Sequence, residues 1–223
     1  MPYLYVVRHG QPDFTGNYDS LTPLGFQQSE WLGEHFQSRG LRFARIVCGT
    51  LVRQVETCDA LLTRLVDAPE PRQDPRLNEY DQGSLLAFFE HEDPVRLRST
   101  GDRRAYFSVV RDSLLAWSRH EGPLPGSETW ADFGGRIEDA YADACAGLGR
   151  DDAVLVVSSG GVIGRTVADA LGANAEAAIH LNLQTRNTGV TEIVRGSSAV
   201  RVAAFNGVPH LERPDRAHAL THS

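Results

Sequence analysis

Residues 3–10 read Tyr3-Leu4-Tyr5-Val6-Val7-Arg8-His9-Gly10. The first five are aromatic, aliphatic or β-branched with no polar alternation, the pattern of a strand buried on both faces in the middle of a parallel sheet. Open α/β sheets place ligands in the crevice beyond the carboxyl ends of such strands. Here that end carries a cation, an imidazole and a glycine. Gly10 permits a sharp turn and the close approach of a ligand. His9 can attack an electrophile through one ring nitrogen when the other is held as a donor. Arg8 offers an anion a two-pronged grip. Three letters are not specific, and an ordinary strand can end this way, so the rest of the chain has to decide.

The 223 residues fit one large α/β domain, and a 41% hydrophobic content supports a sizeable core. A formal net charge of −7 speaks against a nucleic-acid or acidic-membrane partner. No apolar run reaches membrane-spanning length, and the N-terminus lacks the basic region and apolar core of a signal peptide. Cys48, Cys58 and Cys145 are odd in number without metal-type spacing, which predicts reduced thiols and a cytoplasmic setting.

Outward from the first strand, residues 11–21 are turn-rich and predict a loop. Thr22-Pro23 caps a helix that Gly40 ends. Phe43–Cys48 predicts a second strand, and Gly49-Thr50 leads into a second helix. Residues 68–75 hold three prolines and read as loop. Residues 84–125 are mixed and helical and predict a cap inserted into the domain rather than a separate one. Ser127 is a candidate cap for a long helix with Trp130, Phe133, Ile137 and Tyr141 inward. Ala153–Val157 is the clearest buried strand; Ser158-Ser159-Gly160-Gly161 and a helix to Leu171 follow. Thr188–Arg195 and Ala199–Phe205, joined by Gly196-Ser197-Ser198, predict a hairpin at the sheet's edge. The polar tail from Asn206 predicts mostly loop. Together these elements give a three-layer α/β/α sandwich with a mostly parallel sheet and a helical cap insertion.

In such a sheet Arg8-His9-Gly10, Cys48-Gly49-Thr50 with Arg53, and Ser158-Ser159-Gly160-Gly161 end on one edge and converge. Two arginines and a strand-to-helix glycine turn favour an anion such as phosphate, and a histidine beside them can take a phosphoryl group. At this point the sequence resembles the histidine phosphatase superfamily, also called phosphoglycerate-mutase-like. The matching pieces are strand-Arg8-His9-Gly10; Leu21-Thr22-Pro23-Leu24-Gly25 with Gln27-Gln28; Cys48 to Thr57, where the family typically has Ser-Pro-…-Arg-Ala-…-Thr; Leu77-Asn78-Glu79 with Gly83; Pro125-Gly126-Ser127-Glu128; and strand-Ser158-Ser159-Gly160-Gly161-Val162. Each is weak alone; six in order are not. The resemblance implies a phosphatase acting on a small phosphorylated substrate, with no metal or organic cofactor. His9 would form a phosphohistidine. Arg8 and Arg53 would bind the phosphoryl oxygens, and Glu79 would serve as general acid, then base. Thr15, Asn17, Ser159 and Gly160 are further candidates for phosphate contacts.

One position departs from the pattern. The family's second catalytic histidine falls where this chain has Ser159, which brings no positive charge; losing one such donor typically lowers the rate by about 10²–10³. A catalytically weak or inactive phosphate-binding relative of the same fold, and a mutase, are therefore the alternatives. His180, His210 and His218 are candidates for a replacement imidazole. A cysteine phosphatase needs five residues between Cys and Arg, and Cys48 to Arg53 leaves four. The edge strand between 188 and 205 could pair across a two-fold axis to give a homodimer.

Overall fold

The computed structural model describes residues 2–14, 16–196 and 200–222. A six-stranded sheet runs β3-β2-β4-β1-β5-β6. Its strands are β1 Tyr3–Arg8, β2 Arg45–Cys48, β3 Arg72–Gln73, β4 Ala153–Ser158, β5 Val190–Arg195 and β6 Val200–Gly207. β1 pairs parallel with β4, β4 with β2 and β2 with β3, while β5 and β6 run antiparallel at one side.

The alternation hidden in the apolar strands sorts residues into two cores. Leu4, Val6, Val47, Val154 and Val156 face one side, with Phe133, Ile137 and Trp117. Tyr5, Val7, Ile46, Leu155 and Val157 face the other, with Leu32, Phe36 and Leu61. Helices α1 Pro23–Ser38 and α2 Val52–Leu62 supply the second core. The first is covered by α3 Gln82–Phe89, α4 Pro94–Ser99, α5 Arg103–Arg119, α6 Trp130–Cys145 and α7 Gly160–Leu171, with α8 Ala175–Gln184 beside α7. This is the predicted three-layer arrangement, with α3 to α5 forming the helical segment over the strand ends.

Several local expectations shift. Thr22 does cap α1, accepting from the Gly25 N–H at 3.0 Å, and Gly40 follows the helix in a left-handed conformation, φ 65°. Ser127 does not cap α6. Thr129 does, in a reciprocal pair with Asp132. The stretch read as loop before Pro75 contains β3, two exposed residues that pair through backbone alone and so leave no side-chain pattern. Helix α8 was not foreseen. The tail is not mere loop: Val208, Leu211 and Ala219 form a small core with Leu24 and Trp31. The hairpin strands are present, but Ser197 and Ser198 of its turn lie outside the described residues. Among the described residues, no helix is long and apolar enough to cross a membrane.

The loop after β1 is pressed against α1. A methyl on Gly10 would sit 2.5 Å from the Gly25 carbonyl oxygen, and one on Gly25 would sit 2.3 Å from the Gln11 carbonyl oxygen. Both obstacles are backbone and cannot step aside. Gly25→Ala is therefore expected to lower stability by about 1–3 kcal/mol, read as a lower urea midpoint at unchanged slope. An unchanged midpoint would mean that the loop yields instead.

Candidate active site

Parallel pairing aligns Arg8 with Ser158 and Cys48 with Val157, so β1, β2 and β4 end side by side. Beyond those ends lies a cleft of about 440 Å³ lined by Arg8, His9, Arg53 and Glu79, with the cap on its far side.

His9 is buried, and its Nδ1 lies 2.8 Å from the Gly10 carbonyl oxygen. That carbonyl can only accept, so Nδ1 carries the proton and the lone pair is on Nε2. Arg53 Nε–H points at that lone pair from 3.3 Å, which is consistent with the same tautomer. Burial and the neighbouring Arg53 and Arg8 guanidinium groups hold the His9 pKa well below the usual imidazole value. The imidazole is thus neutral, with the Nε2 lone pair facing Arg53.

Arg8 is also buried, which pulls its pKa down, and its Nη1 donates to the Thr185 carbonyl at 2.5 Å. Thr185 is the C-terminal cap of α8, where helix carbonyls favour a cation. Arg53 is held by Asp19 at 2.7 Å. Glu79 accepts from the Gly161 N–H at 2.9 Å, at the first turn of α7. Burial raises its pKa above the usual carboxylate value, opposed by that N–H and by Arg53 and Arg8. A side chain at Gly161 would meet Glu79 at 2.2 Å and the Tyr80 ring at 2.6 Å, so glycine is required there.

Not every candidate reaches the cleft. Ser159 is fully buried beneath it and accepts a hydrogen bond from Gln54 Nε2 at 2.9 Å. Gly160 backs onto α8, where a side chain would strike Asn182 and Thr185. Asn17 faces its own turn, donating to Ser20 and accepting from Asp19 N–H. Thr15 lies outside the described residues. Nor does a replacement imidazole arrive: His180 is exposed, His218 stacks edge-on against Trp31, and buried His210 donates to the Thr188 hydroxyl at 2.8 Å. Cys48 is buried and hydrogen-bonded to Cys58, away from the cleft. Among the described residues no three His, Cys, Asp or Glu side chains gather as a metal site.

Gln54 is the residue that sequence reasoning passed over. Its amide is fully buried. Nε2 donates to Ser159 Oγ and, at 3.2 Å, to the Leu77 carbonyl, while Oε1 accepts from Leu51 N–H at 3.3 Å. It therefore joins the loops after β2, β3 and β4; it follows Arg53 in the chain, and its partner Leu77 lies two residues before Glu79. A methyl on Gly49 would sit 1.9 Å from Gln54 Oε1, so glycine at 49 makes room for this amide. A polar residue on a helix flank gives no hint of this by itself; the traces in the sequence are the two departures from the family pattern, Arg53-Gln54 where Arg-Ala is typical and Gly49 where proline is typical.

Residues 4–207 match the histidine phosphatase superfamily (branch 1). A 2,3-bisphosphoglycerate-dependent phosphoglycerate mutase from Rhizobium etli is 31% identical over 173 residues, 73% of this chain and 77% of that protein. Among solved structures, a mycobacterial glucosyl-3-phosphoglycerate phosphatase superposes with a TM-score of 0.67 at 24% identity, covering 93% of this chain and all of that one. A phosphoserine phosphatase from Entamoeba histolytica gives the same TM-score at 20% identity, covering 95% and 100%.

Gln54→Leu keeps the volume and removes every hydrogen bond of the amide. We expect it to cost about 1–3 kcal/mol, the usual penalty for stranding buried polar partners, seen as a reduced urea midpoint. Gln54→Glu, placing a carboxylate against the Leu77 carbonyl, should be at least as damaging. Wild-type stability in both would show that the loops are held by other contacts.

Proposed function

The chain belongs to the histidine phosphatase superfamily, and from that premise we propose that it is a phosphatase hydrolysing a phosphate monoester through a phosphohistidine on His9. The observation that carries the reading is the neutral Nε2 of His9, set between Arg8 and Arg53 in the cleft that also holds Glu79.

In the proposed first step the Nε2 lone pair attacks phosphorus and the ester P–O bond breaks. The departing alkoxide oxygen takes the proton of Glu79, whose raised pKa favours the acid form. Arg8 and Arg53 balance the charge on the transferring oxygens, and Nδ1–H stays on the Gly10 carbonyl as the ring becomes cationic. In the second step a water oxygen attacks phosphorus, the P–N bond breaks and Glu79 carboxylate takes the water proton. Inorganic phosphate leaves and His9 is neutral again. With serine at 159, charge stabilisation rests on the two arginines.

Release of p-nitrophenol from p-nitrophenyl phosphate between about pH 5 and 8 tests this directly. His9→Ala is expected to lose at least about 10³-fold in kcat; indistinguishable rates in wild type and variant would end the phosphatase reading. The pH profile follows from the two shifts. His9 must be unprotonated, and its lowered pKa shifts any loss of activity on the acid side towards lower pH. Glu79 must be protonated in the first step, so turnover of an alkyl phosphate falls as pH rises through its raised pKa. Glu79→Gln should remove that falling limb, and should harm alkyl phosphates more than p-nitrophenyl phosphate, whose leaving group needs little protonation.

A further inference from the structure

The main chain of His9 is held from two sides. Thr188, just before β5, donates its N–H to the Arg8 carbonyl at 3.1 Å and to the His9 carbonyl at 3.3 Å. Asn187 Nδ2 donates to the same His9 carbonyl at 3.3 Å. At the other end of that peptide, Gly10 N–H donates to Thr57 Oγ1 of α2 at 2.9 Å. The His9–Gly10 peptide is therefore clamped between α2 and the approach to β5. The next carbonyl, that of Gly10, receives His9 Nδ1–H and so decides which ring nitrogen keeps the lone pair.

Thr188 is an unlikely residue for this clamp. Its φ is 55°, a left-handed backbone that β-branched side chains rarely adopt and that persists only where the surroundings impose it. The imposing group is His210. Thr188 Oγ1 donates its one proton to the Asn187 carbonyl at 2.7 Å, so His210 Nε2 is the donor in the 2.8 Å bond to Oγ1. Both residues are buried. Burial, His35 and the Arg216 guanidinium push the His210 pKa down to about 3, so the ring is neutral and Nε2–H is a fixed donor. Arg216 also donates to the His210 carbonyl at 3.0 Å. Asn187 is braced by the same tail: Thr221 Oγ1 donates to its Oδ1 at 2.9 Å, and its N–H donates to the Thr221 carbonyl at 3.0 Å.

We propose that His210 is a positioning residue for the nucleophile: through Thr188 it holds the His9 main chain, and with it the tautomer that leaves Nε2 free to attack. The inference rests on the phosphatase reading of His9. It makes the tail a working support of the site, although His210 does not line the cleft.

Two variants cut the link from opposite ends. His210→Ala removes the donor, and Thr188→Val keeps the branched shape but removes the acceptor. Each should lower kcat for p-nitrophenyl phosphate about 10- to 100-fold with KM little changed, the effect of slightly misplacing a reacting group. Their losses should not add, so the double variant should match the slower single one. His210→Gln, whose amide can present an N–H near the same point, should restore most of the rate. Leu211→Ala, which loosens the tail's small core without touching the bond, should keep the wild-type kcat. Nitrogen NMR of protein carrying isotope-labelled histidine reads the ring itself, with His9→Ala identifying the His9 signals. Wild type should show His9 only as the Nδ1–H form, and His210→Ala should show both tautomers. Unchanged His9 signals in His210→Ala overturn the inference whatever the rate. Additive losses, or a folded Leu211→Ala protein as slow as His210→Ala, overturn it as well, since packing of the tail would then suffice. Should His210→Ala fail to fold, Thr188→Val carries the same comparison. If wild type releases no phosphate, the phosphatase reading falls, and the NMR comparison still decides: one His9 tautomer in both proteins refutes the role of His210, and a mixture confined to the variant supports it.

Discussion

One buried cleft gathers four ionisable groups, and it pushes two of them, His9 and Glu79, towards neutrality. Burial lowers the His9 pKa and raises that of Glu79. Both shifts run towards the states that the proposed phosphoryl transfer to nitrogen uses, a nucleophile without its proton and an acid that holds one. The two arginines cannot respond in the same way, because a guanidinium keeps its charge at any ordinary pH. They need fixed partners, and each has one of a different kind: the carbonyl capping α8 for Arg8, the Asp19 carboxylate for Arg53. Their remaining charge acts on the imidazole. A structure that neutralised them fully would lose part of the force holding His9 deprotonated.

Glu79 owes its position to backbone rather than to its own contacts alone. The Leu77 carbonyl accepts from Gln54 and from Ser158 Oγ, the latter at 2.7 Å. Arg136 of α6 donates to the carbonyls of Arg76 and Asn78, and is itself gripped by both oxygens of Glu128 at 2.7 Å. Asn78 ties the same segment to Thr50, accepting from its N–H at 2.6 Å. The Pro-Gly-Ser-Glu stretch thus serves the site from a distance, through an arginine that clamps the chain carrying the acid. Groups held this way keep their geometry when charge moves through the cleft.

The sequence was most legible where one physical pattern dominates. β1 and β4 are continuous apolar runs, and their ends carry the residues that meet. Parallel pairing then implied the convergence of His9, Arg8 and Arg53 without any coordinates. What escaped is what pairs through backbone or through buried amides. β3 is two exposed residues. Helix α8, whose cap receives Arg8, presents a weakly amphipathic run, with Ala178, Ile179 and Asn182 inward. The tail reads as polar, yet Gln28 donates to the Ala219 carbonyl at 2.7 Å and to Thr221 while accepting from Gln11 N–H, so it fastens the tail to the loop after His9. Thr188, in a left-handed conformation with φ 55°, donates its N–H to the Arg8 carbonyl at 3.1 Å. A β-branched residue there is a strained choice that no sequence pattern predicts. Ser159 is the contrasting case: its place in the motif points to the phosphate, while its hydroxyl accepts a hydrogen bond from Gln54.

The two halves of the cleft are built from different forces. On the sheet side, His9, Arg8 and Glu79 hang from strand ends cross-linked by short polar bonds. On the cap side the contacts are largely aromatic: Phe14 lies edge-on to Tyr106 at 5.2 Å, and Tyr106 to Phe107 at 5.2 Å. Directional bonds hold these side chains in defined orientations. Ring contacts are individually weaker, about 0.5–1.5 kcal/mol beyond the area they bury, and tolerate small rotations. Phe14 belongs to the loop that follows His9, so its contacts with Tyr106 and Phe107 tie that loop to the cap. The ring of Tyr18, from the same loop, contacts both Arg53, at 5.3 Å, and Arg98, at 4.7 Å. The sheet side and the cap side of the cleft are thus joined through one aromatic ring that contacts an arginine of each.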